Sequence, residues 1–339
     1  MMLRLLTLLC CSAAAAPAER YQLRQQAGDY PLVILLDEEA GVEASISPKA
    51  GGELCGLRFK VKEEWVEMIY RACDYTETAG WRGKAPLLWP ATGPTIGGKQ
   101  GVYRIAGKAY QMPVHGFARN MPWKVDIARA DQREARALLS LSDTPETRKQ
   151  YPFGWRLSVE YRLREGRLYL VYNVGTSIQN TAAMFFSIGN HITFRTPFLR
   201  GSDPLKMTVE TAASTMIKRD AQSLPTGETA APPFTGSVDL GRIAWNPALS
   251  LTGYKGEPTL SLTDPQGLRV RIRHTARTLP AQPFVQFNLW GDPKAGYFSP
   301  EPWMGIQNSL NGNAGRIELK PGEAWQWTIE LTPSLFAKM

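Results

Sequence analysis

The sequence predicts an all-β sandwich of antiparallel strands, and three observations predict it. Short alternating or apolar runs rich in Val, Ile, Tyr and Trp recur along the chain, a period-two pattern that belongs to strands rather than helices. Turn signals separate these runs, and 30 glycines and 25 prolines among 339 residues fit a loop-rich architecture with little room for helix. No unit of fixed period repeats along the chain, which disfavours a propeller or a solenoid.

Taken from the start, residues 1–18 combine one charge at Arg4, an apolar run Leu5 to Cys11 and a small-residue stretch Ala13-Ala-Ala-Ala-Pro-Ala18. That order of charge, short apolar core and small residues is expected of a secretory signal peptide, cleaved after Ala16 or Ala18. The apolar core falls well short of the roughly 20 residues a spanning helix needs, and no later run reaches that length, so no membrane anchor is expected. Lipidation at Cys10 or Cys11 is disfavoured, because leucines and a cysteine precede them. The expected product is an exported, periplasmic or secreted chain, 19–339, forming one β-sandwich domain and a monomer.

Beyond the leader stand two cysteines, Cys55 and Cys73. In an oxidising compartment they form either a disulfide or two buried thiols, and spacing alone does not decide between them. With no CxxC and only three histidines, a metal site is not expected. The formal net charge of +8 is spread along the chain. It reads as a solvated basic surface or as attraction for anionic substrates, and it lacks the clustered basic patch of a nucleic-acid binder.

The middle and end of the chain supply the strands. Leu168-Tyr-Leu-Val-Tyr-Asn-Val174, Leu268-Arg-Val-Arg-Ile-Arg-His274 and Trp325-Gln-Trp-Thr-Ile-Glu-Leu331 have strand length and pattern. Glu165-Gly166, Asp264-Pro-Gln-Gly267 and Lys320-Pro-Gly-Glu323 are their turns. The stretch 221–236, with Pro225, Gly227, Pro232 and Pro233, reads as a long surface connection inside one domain.

Chemistry is confined to a few positions. Imidazole is the side chain that changes charge unaided near neutrality, and a carboxylate is its natural partner for moving a proton between two oxygens. His115 lies between Pro113 and Gly116, in a turn or at a strand end; His191 follows Gly189-Asn190 at the mouth of a strand. His274 shares the apolar face of Val270 and Ile272 and reads as structural. Glu301 stands between Pro300 and Pro302, which remove two backbone donors and fix its direction, next to Trp303. Read singly, His115, His191 and Glu301 each have an ordinary structural explanation.

In combination they resemble a known family. The segments Trp81-Arg-Gly-Lys-Ala-Pro-Leu-Leu-Trp-Pro-Ala-Thr-Gly-Pro94, His115-Gly-Phe-Ala-Arg-Asn-Met-Pro-Trp123, Tyr151-Pro-Phe-Gly-Trp155 and Glu301-Pro-Trp-Met-Gly305 stand in the order seen in aldose 1-epimerases, the galactose mutarotase-like family with its glucose-6-phosphate 1-epimerase branch. The likeness runs from Val42 to Trp327. It implies an antiparallel β-supersandwich with a concave sugar cleft, working without cofactor or metal. It implies further that Glu301 takes the proton from the C1 hydroxyl, His191 protonates the ring oxygen and His115 hydrogen-bonds sugar oxygens. Arg82, Arg119, Asn190, Gln286 and Trp303 become substrate-binding candidates. The chain departs from galactose mutarotases at Thr95-Ile-Gly-Gly98, where an Asn-Arg pair is expected, and near Asn246-Pro247, where an aspartate is expected. Arg82 and the Trp89–Pro94 stretch resemble the sugar-phosphate branch instead. Two other readings therefore stand beside a free-sugar epimerase: a sugar-phosphate epimerase, and a carbohydrate-binding protein that has lost turnover.

Overall fold

The computed structural model describes residues 19–77, 80–276, 285–312 and 314–336, so the expected leader at 1–18 lies outside the described residues. The architecture is the antiparallel β-sandwich that the period-two pattern predicts. A nine-stranded sheet runs, in spatial order, through the strands Gly236–Asp239, Thr208–Thr211, Thr259–Thr263, Leu268–Ala276, Ala324–Leu335, Arg167–Thr176, Trp155–Arg164, Ala135–Ser142 and Lys124–Ala130. An eight-stranded sheet runs through Pro225–Ala230, Thr215–Arg219, Leu249–Thr252, Val285–Asp292, Tyr297–Met304, Ile188–Asn190 and Leu87–Leu88, with Phe194–Arg195 paired separately onto Tyr297–Met304. A five-stranded meander, 21–67, covers the N-terminal side.

Each expected turn forms: those at 165–166 and 264–267 close hairpins, and that at 320–323 passes the chain from Ile317–Leu319, paired with Met184–Phe186, into the nine-stranded sheet. Glu165 and Gly166 both adopt positive φ, 51° and 69°, between strands paired in register from Trp155↔Thr176 to Arg164↔Arg167; two left-handed residues in a two-residue loop match the twist of the flanking strands. Gly267 donates to the Asp264 carbonyl at 2.8 Å and Glu323 donates to that of Lys320 at 3.0 Å. Alternation then sorts the faces. Along Leu268–Ala276, Val270, Ile272 and His274 are buried while Arg271 is exposed, as a pleated strand with one covered face requires.

The core lies where the two large sheets face each other. His274 of the nine-stranded sheet packs edge-on to Phe287 of the eight-stranded sheet at 4.8 Å, and Tyr172 stacks on Trp327 at 5.4 Å. His274 is thus structural: its Nδ1 accepts from Trp327 Nε1 at 3.3 Å and burial pushes its pKa down to about 3. Leu35, Ala44 and Leu57 of the meander join the same apolar cluster. Among the described residues no helix is long and apolar enough to cross a membrane.

One local expectation needs correction. Segment 221–236 is more than a connection, because Pro225–Ala230 pairs with Thr215–Arg219 as an outer strand. Its mostly exposed residues, and a proline at its first position, are tolerated only at a sheet edge. A short helix, Pro145–Gln150, also forms; Thr144 caps it reciprocally with Thr147 and Pro145 stands in its first turn.

The Cys55–Cys73 alternative resolves as a disulfide, with Cα atoms 4.7 Å apart. It ties the Glu53–Val61 strand to the loop that leads toward Trp81 and Arg82.

Candidate active site

The strand Tyr297–Met304 carries the site's carboxylate, and its prolines have a place in the sheet. On one side it pairs fully with Val285–Asp292. On the other, Ile188–Asn190 pairs only at Trp303 and Met304, and Phe194–Arg195 pairs only at Tyr297 and Phe298. Residues 299–302 fall in the gap, where a proline's missing N–H leaves no strand partner unsatisfied. Alternation puts Pro300 and Pro302 toward the inter-sheet core and Ser299, Glu301 and Trp303 toward the opposite face.

That face floors a cleft of about 670 Å³ lined by His115, His191, Glu301, Arg82, Arg119 and Trp303, among others. Three histidine and glutamate positions far apart in sequence therefore converge. Glu301 Oε1 lies 3.6 Å from His191 Nε2, both side chains buried. Glu301 Oε1 also accepts from Asn288 Nδ2 at 3.0 Å, and Oε2 accepts from Trp303 Nε1 at 3.1 Å. Trp303 reaches that oxygen because Gly189 has no side chain: a Cβ there would stand 2.6 Å from the indole Cδ1.

His191 is placed by its backbone N–H, which donates to the Pro86 carbonyl at 3.0 Å, and its Nδ1 faces the Thr193 hydroxyl at 3.4 Å. Its ring is 5.7 Å from that of His115 and 5.6 Å from Trp290. His115 sits in a left-handed backbone conformation, φ 67°, followed by Gly116 at φ 69°. A side chain at 116 would strike the Trp89 carbonyl, its Cβ falling 2.0 Å from the oxygen, so the tight turn that delivers His115 needs glycine there. His115 Nδ1 accepts from the Gly93 N–H at 3.0 Å. The proton of the neutral ring is consequently on Nε2, making His115 a donor into the cleft.

Burial dominates the protonation of the site. It pushes Glu301 up to about 8, against the hydrogen bonds from Asn288 and Trp303 and the charge of Arg219. It pushes His191 down to about 4, and it carries His115 well below the usual imidazole range with help from His191 and Arg119. Between those limits the Glu301–His191 pair holds one proton, which burial rests on Glu301, 3.6 Å from His191 Nε2.

Arginines supply the charge. Among the described residues lining the cleft, Arg82, Arg119 and Arg219 face one carboxylate, Glu301. Arg82 Nη2 lies 3.5 Å from Asn120 Oδ1 and Arg119 Nη2 donates to the Val114 carbonyl at 3.2 Å, while Arg119 Nε is buried without a partner. An acid outside the cleft that feels both, Glu53, accepts from Tyr75 Oη at 2.9 Å and is pushed up to about 7 by burial, so it balances them only in part.

Two sequence candidates do not line the cleft. Asn190 points into the sandwich, where its Nδ2 donates to the Ala85 carbonyl at 3.1 Å and to Tyr172 Oη at 3.0 Å. Gln286 is fully buried and donates to the Gly305 carbonyl at 2.6 Å. Both are turned to internal acceptors, because polar groups in a buried strand must find them. Asn246 lines a separate depression with Trp245 and Asp292. Conversely, Asn288, Trp290, Trp81 and Arg219 line the cleft unforeseen. The alternation Gln286-x-Asn288-x-Trp290 was the signal for two of them, since it puts all three on one face; nothing local marks Arg219.

Comparison with known proteins adds the relationship. The solved structures similar to this one include a galactose mutarotase-like protein from Clostridium acetobutylicum (20% identity, 94% of this chain and 99% of that one, TM-score 0.74) and galactose 1-epimerase from Lactobacillus acidophilus (16%, 93% and 98%, TM-score 0.69). Among sequences, it is similar to a candidate glucose-6-phosphate 1-epimerase of Salmonella typhimurium (27% identity, 41% of this chain and 42% of that one) and to one of Escherichia coli (32%, 30% and 30%). The chain spans less than half the length of these curated relatives. The family model for aldose 1-epimerase matches residues 32–332, nearly the whole of the sandwich that carries the cleft, and the chain belongs to the aldose 1-epimerase family.

Proposed function

We propose that this protein interconverts the α and β anomers of an aldose by ring opening and closing, with Glu301 and His191 exchanging the proton. The observation that carries the reading is the 3.6 Å approach of Glu301 Oε1 to His191 Nε2 at a buried cleft floor. The sugar's O1 and ring oxygen are bonded to the same carbon, so the groups that serve them must be close neighbours. Glu301 takes the O1 proton, the O1–H electron pair forms the C1 carbonyl, and the C1–ring-oxygen bond breaks with its pair going to the oxygen, which His191 protonates. Rotation about C1–C2 and attack on the other carbonyl face reverse every transfer. His115 Nε2–H stabilises the oxygen on which charge develops. Burial rests the pair's single proton on Glu301; the form that reacts has it on His191 with Glu301 ionised, and from that form a full cycle needs no proton from solvent.

Polarimetry or saturation-transfer NMR over a panel of aldoses tests this. Acceleration is expected for at least one sugar, with a loss of about 10² to 10⁴ in Glu301→Gln; a parent protein no faster than buffer on any of them, yet still binding glycans after His191→Ala, would establish a binding protein instead. A second reading, a sugar carrying an anionic group such as a phosphate, is favoured by the unpartnered Nε of Arg119 beside Arg82, and by the names of the curated relatives. We further infer an exported mature chain, a reading supported by the disulfide and by the leader-like residues 1–18.

A further inference from the structure

Arg219 ends the strand Thr215–Arg219, just after the register with Pro225–Ala230 shifts between Ile217 and Arg219. Its side chain crosses two strands laterally, since Ile217 pairs with Ser250 and Ser250 with Asn288. Nη2 donates to Ser250 Oγ and to Asn288 Oδ1. The Gln307 amide packs over the face of the guanidinium, its terminal atom 3.0–3.2 Å from the three nitrogens. Arg219 Nη2 is thus engaged by protein on two strands, unlike Arg119, whose Nε has no partner. The side chain lines the cleft but holds its neighbours rather than offering itself to a ligand.

One of those neighbours matters for chemistry. An asparagine amide can present either its oxygen or its nitrogen. A guanidinium is donor-only, so it accepts only Oδ1, and Asn288 must turn Nδ2 toward Glu301 Oε1, 3.0 Å away. That oxygen is also the one 3.6 Å from His191. The opposite orientation would set Oδ1 against the carboxyl and add to the protonation that burial already favours, leaving less of the ionised form that takes a proton from a sugar hydroxyl.

We propose that Arg219 is a positioning residue for the Glu301–His191 pair: by locking the Asn288 amide it keeps a donor, rather than an acceptor, on the oxygen of Glu301 that faces His191. This rests on the reading of that pair as the proton exchanger. The charged and titratable groups facing Glu301 are His191 and Arg219, with His115 and Arg119 beyond His191.

The test compares the parent chain with Arg219→Met, Asn288→Ala and the double variant, after thermal melts confirm folding. Two readouts are independent: the Glu301 titration, followed by NMR of ¹³C-labelled glutamate and assigned by its loss in Glu301→Gln, and steady-state epimerisation against pH. In Arg219→Met the carboxyl titration should move up by about one unit or more, and the alkaline limb of kcat should follow it. Then kcat should fall at least about tenfold with KM within about threefold, and the double variant should be no worse than the more damaging single one. An unmoved titration, or single effects that multiply in the double variant, overturns the proposal. Arg219→Lys, which keeps the charge but not the planar fork, serves if Arg219→Met does not fold: a fallen kcat at unchanged KM supports the locking role, and parent kcat overturns it. A parent with no epimerase activity would defeat the proposed function, while the NMR titration would still decide the role of Arg219.

Discussion

Glu301 Oε1 lies 3.6 Å from His191 Nε2, and burial displaces their protonation in opposite directions, the acid up to about 8 and the imidazole down to about 4. A single proton on the pair is the state competent to donate at one oxygen and accept at the other. Activity should therefore be flat across the interval between those values, falling above about 8 as the pair loses its single proton, and with it the one His191 must deliver, and below about 4 as the pair gains a second. A pH profile of kcat/KM on the free enzyme checks this; an optimum confined to one side of the interval would contradict it.

His115, held well below the usual imidazole range by burial, should be neutral at and above neutral pH, with its proton on Nε2, because Nδ1 is held by the Gly93 N–H at 3.0 Å. Long-range ¹H–¹⁵N spectra of the imidazole report the tautomer directly. His115→Ala is expected to reduce kcat by about 10² through loss of one preorganised donor, and an Nδ1–H tautomer in the spectra would remove the basis for that role.

Gly189 bears on the acid through Trp303. Gly189→Ala would bring a Cβ to 2.6 Å from the indole, and displacing that ring is expected to destabilise the fold by about 1–3 kcal/mol and to withdraw the Nε1 donor from Glu301. Trp303→Phe keeps most of the ring and removes the donor alone. Comparable activity losses in the two variants, with a drop in melting temperature mainly in the first, is the expected pattern.

Arg82→Ala and Arg119→Ala discriminate between neutral and anionic substrates. If the sugar carries a phosphate, each should raise KM for it at least about tenfold, the range of a charge-assisted hydrogen bond, while a neutral aldose is affected little. Equal effects on both kinds of sugar would rule the sugar-phosphate reading out.

The disulfide ties the loop before Trp81 and Arg82 to the meander. Opening the 18-residue separation by Cys73→Ser should lower stability by about 3 kcal/mol in the chain-entropy model. Chemical denaturation under oxidising and reducing conditions measures it. Intact mass of the purified protein would at the same time show whether 1–18 has been removed.

The period of the side-chain pattern was enough to predict strands at Leu168–Val174, Leu268–His274 and Trp325–Leu331, their turns and the buried face that includes His274, because pleat and turn chemistry act between near neighbours in the chain. Likewise, the proline-flanked glutamate and the glycine-flanked histidines were visible as candidates, since backbone restriction is local. Partnership was not. Asn288 meets Glu301 through strand register, Arg219 meets Asn288 across a third strand, and Asn190 turns away to Tyr172 across the sandwich. Register, bulge and sheet stacking are decided by packing between residues distant in sequence, so which polar groups line a hollow and which satisfy the interior emerged only when the sheets closed.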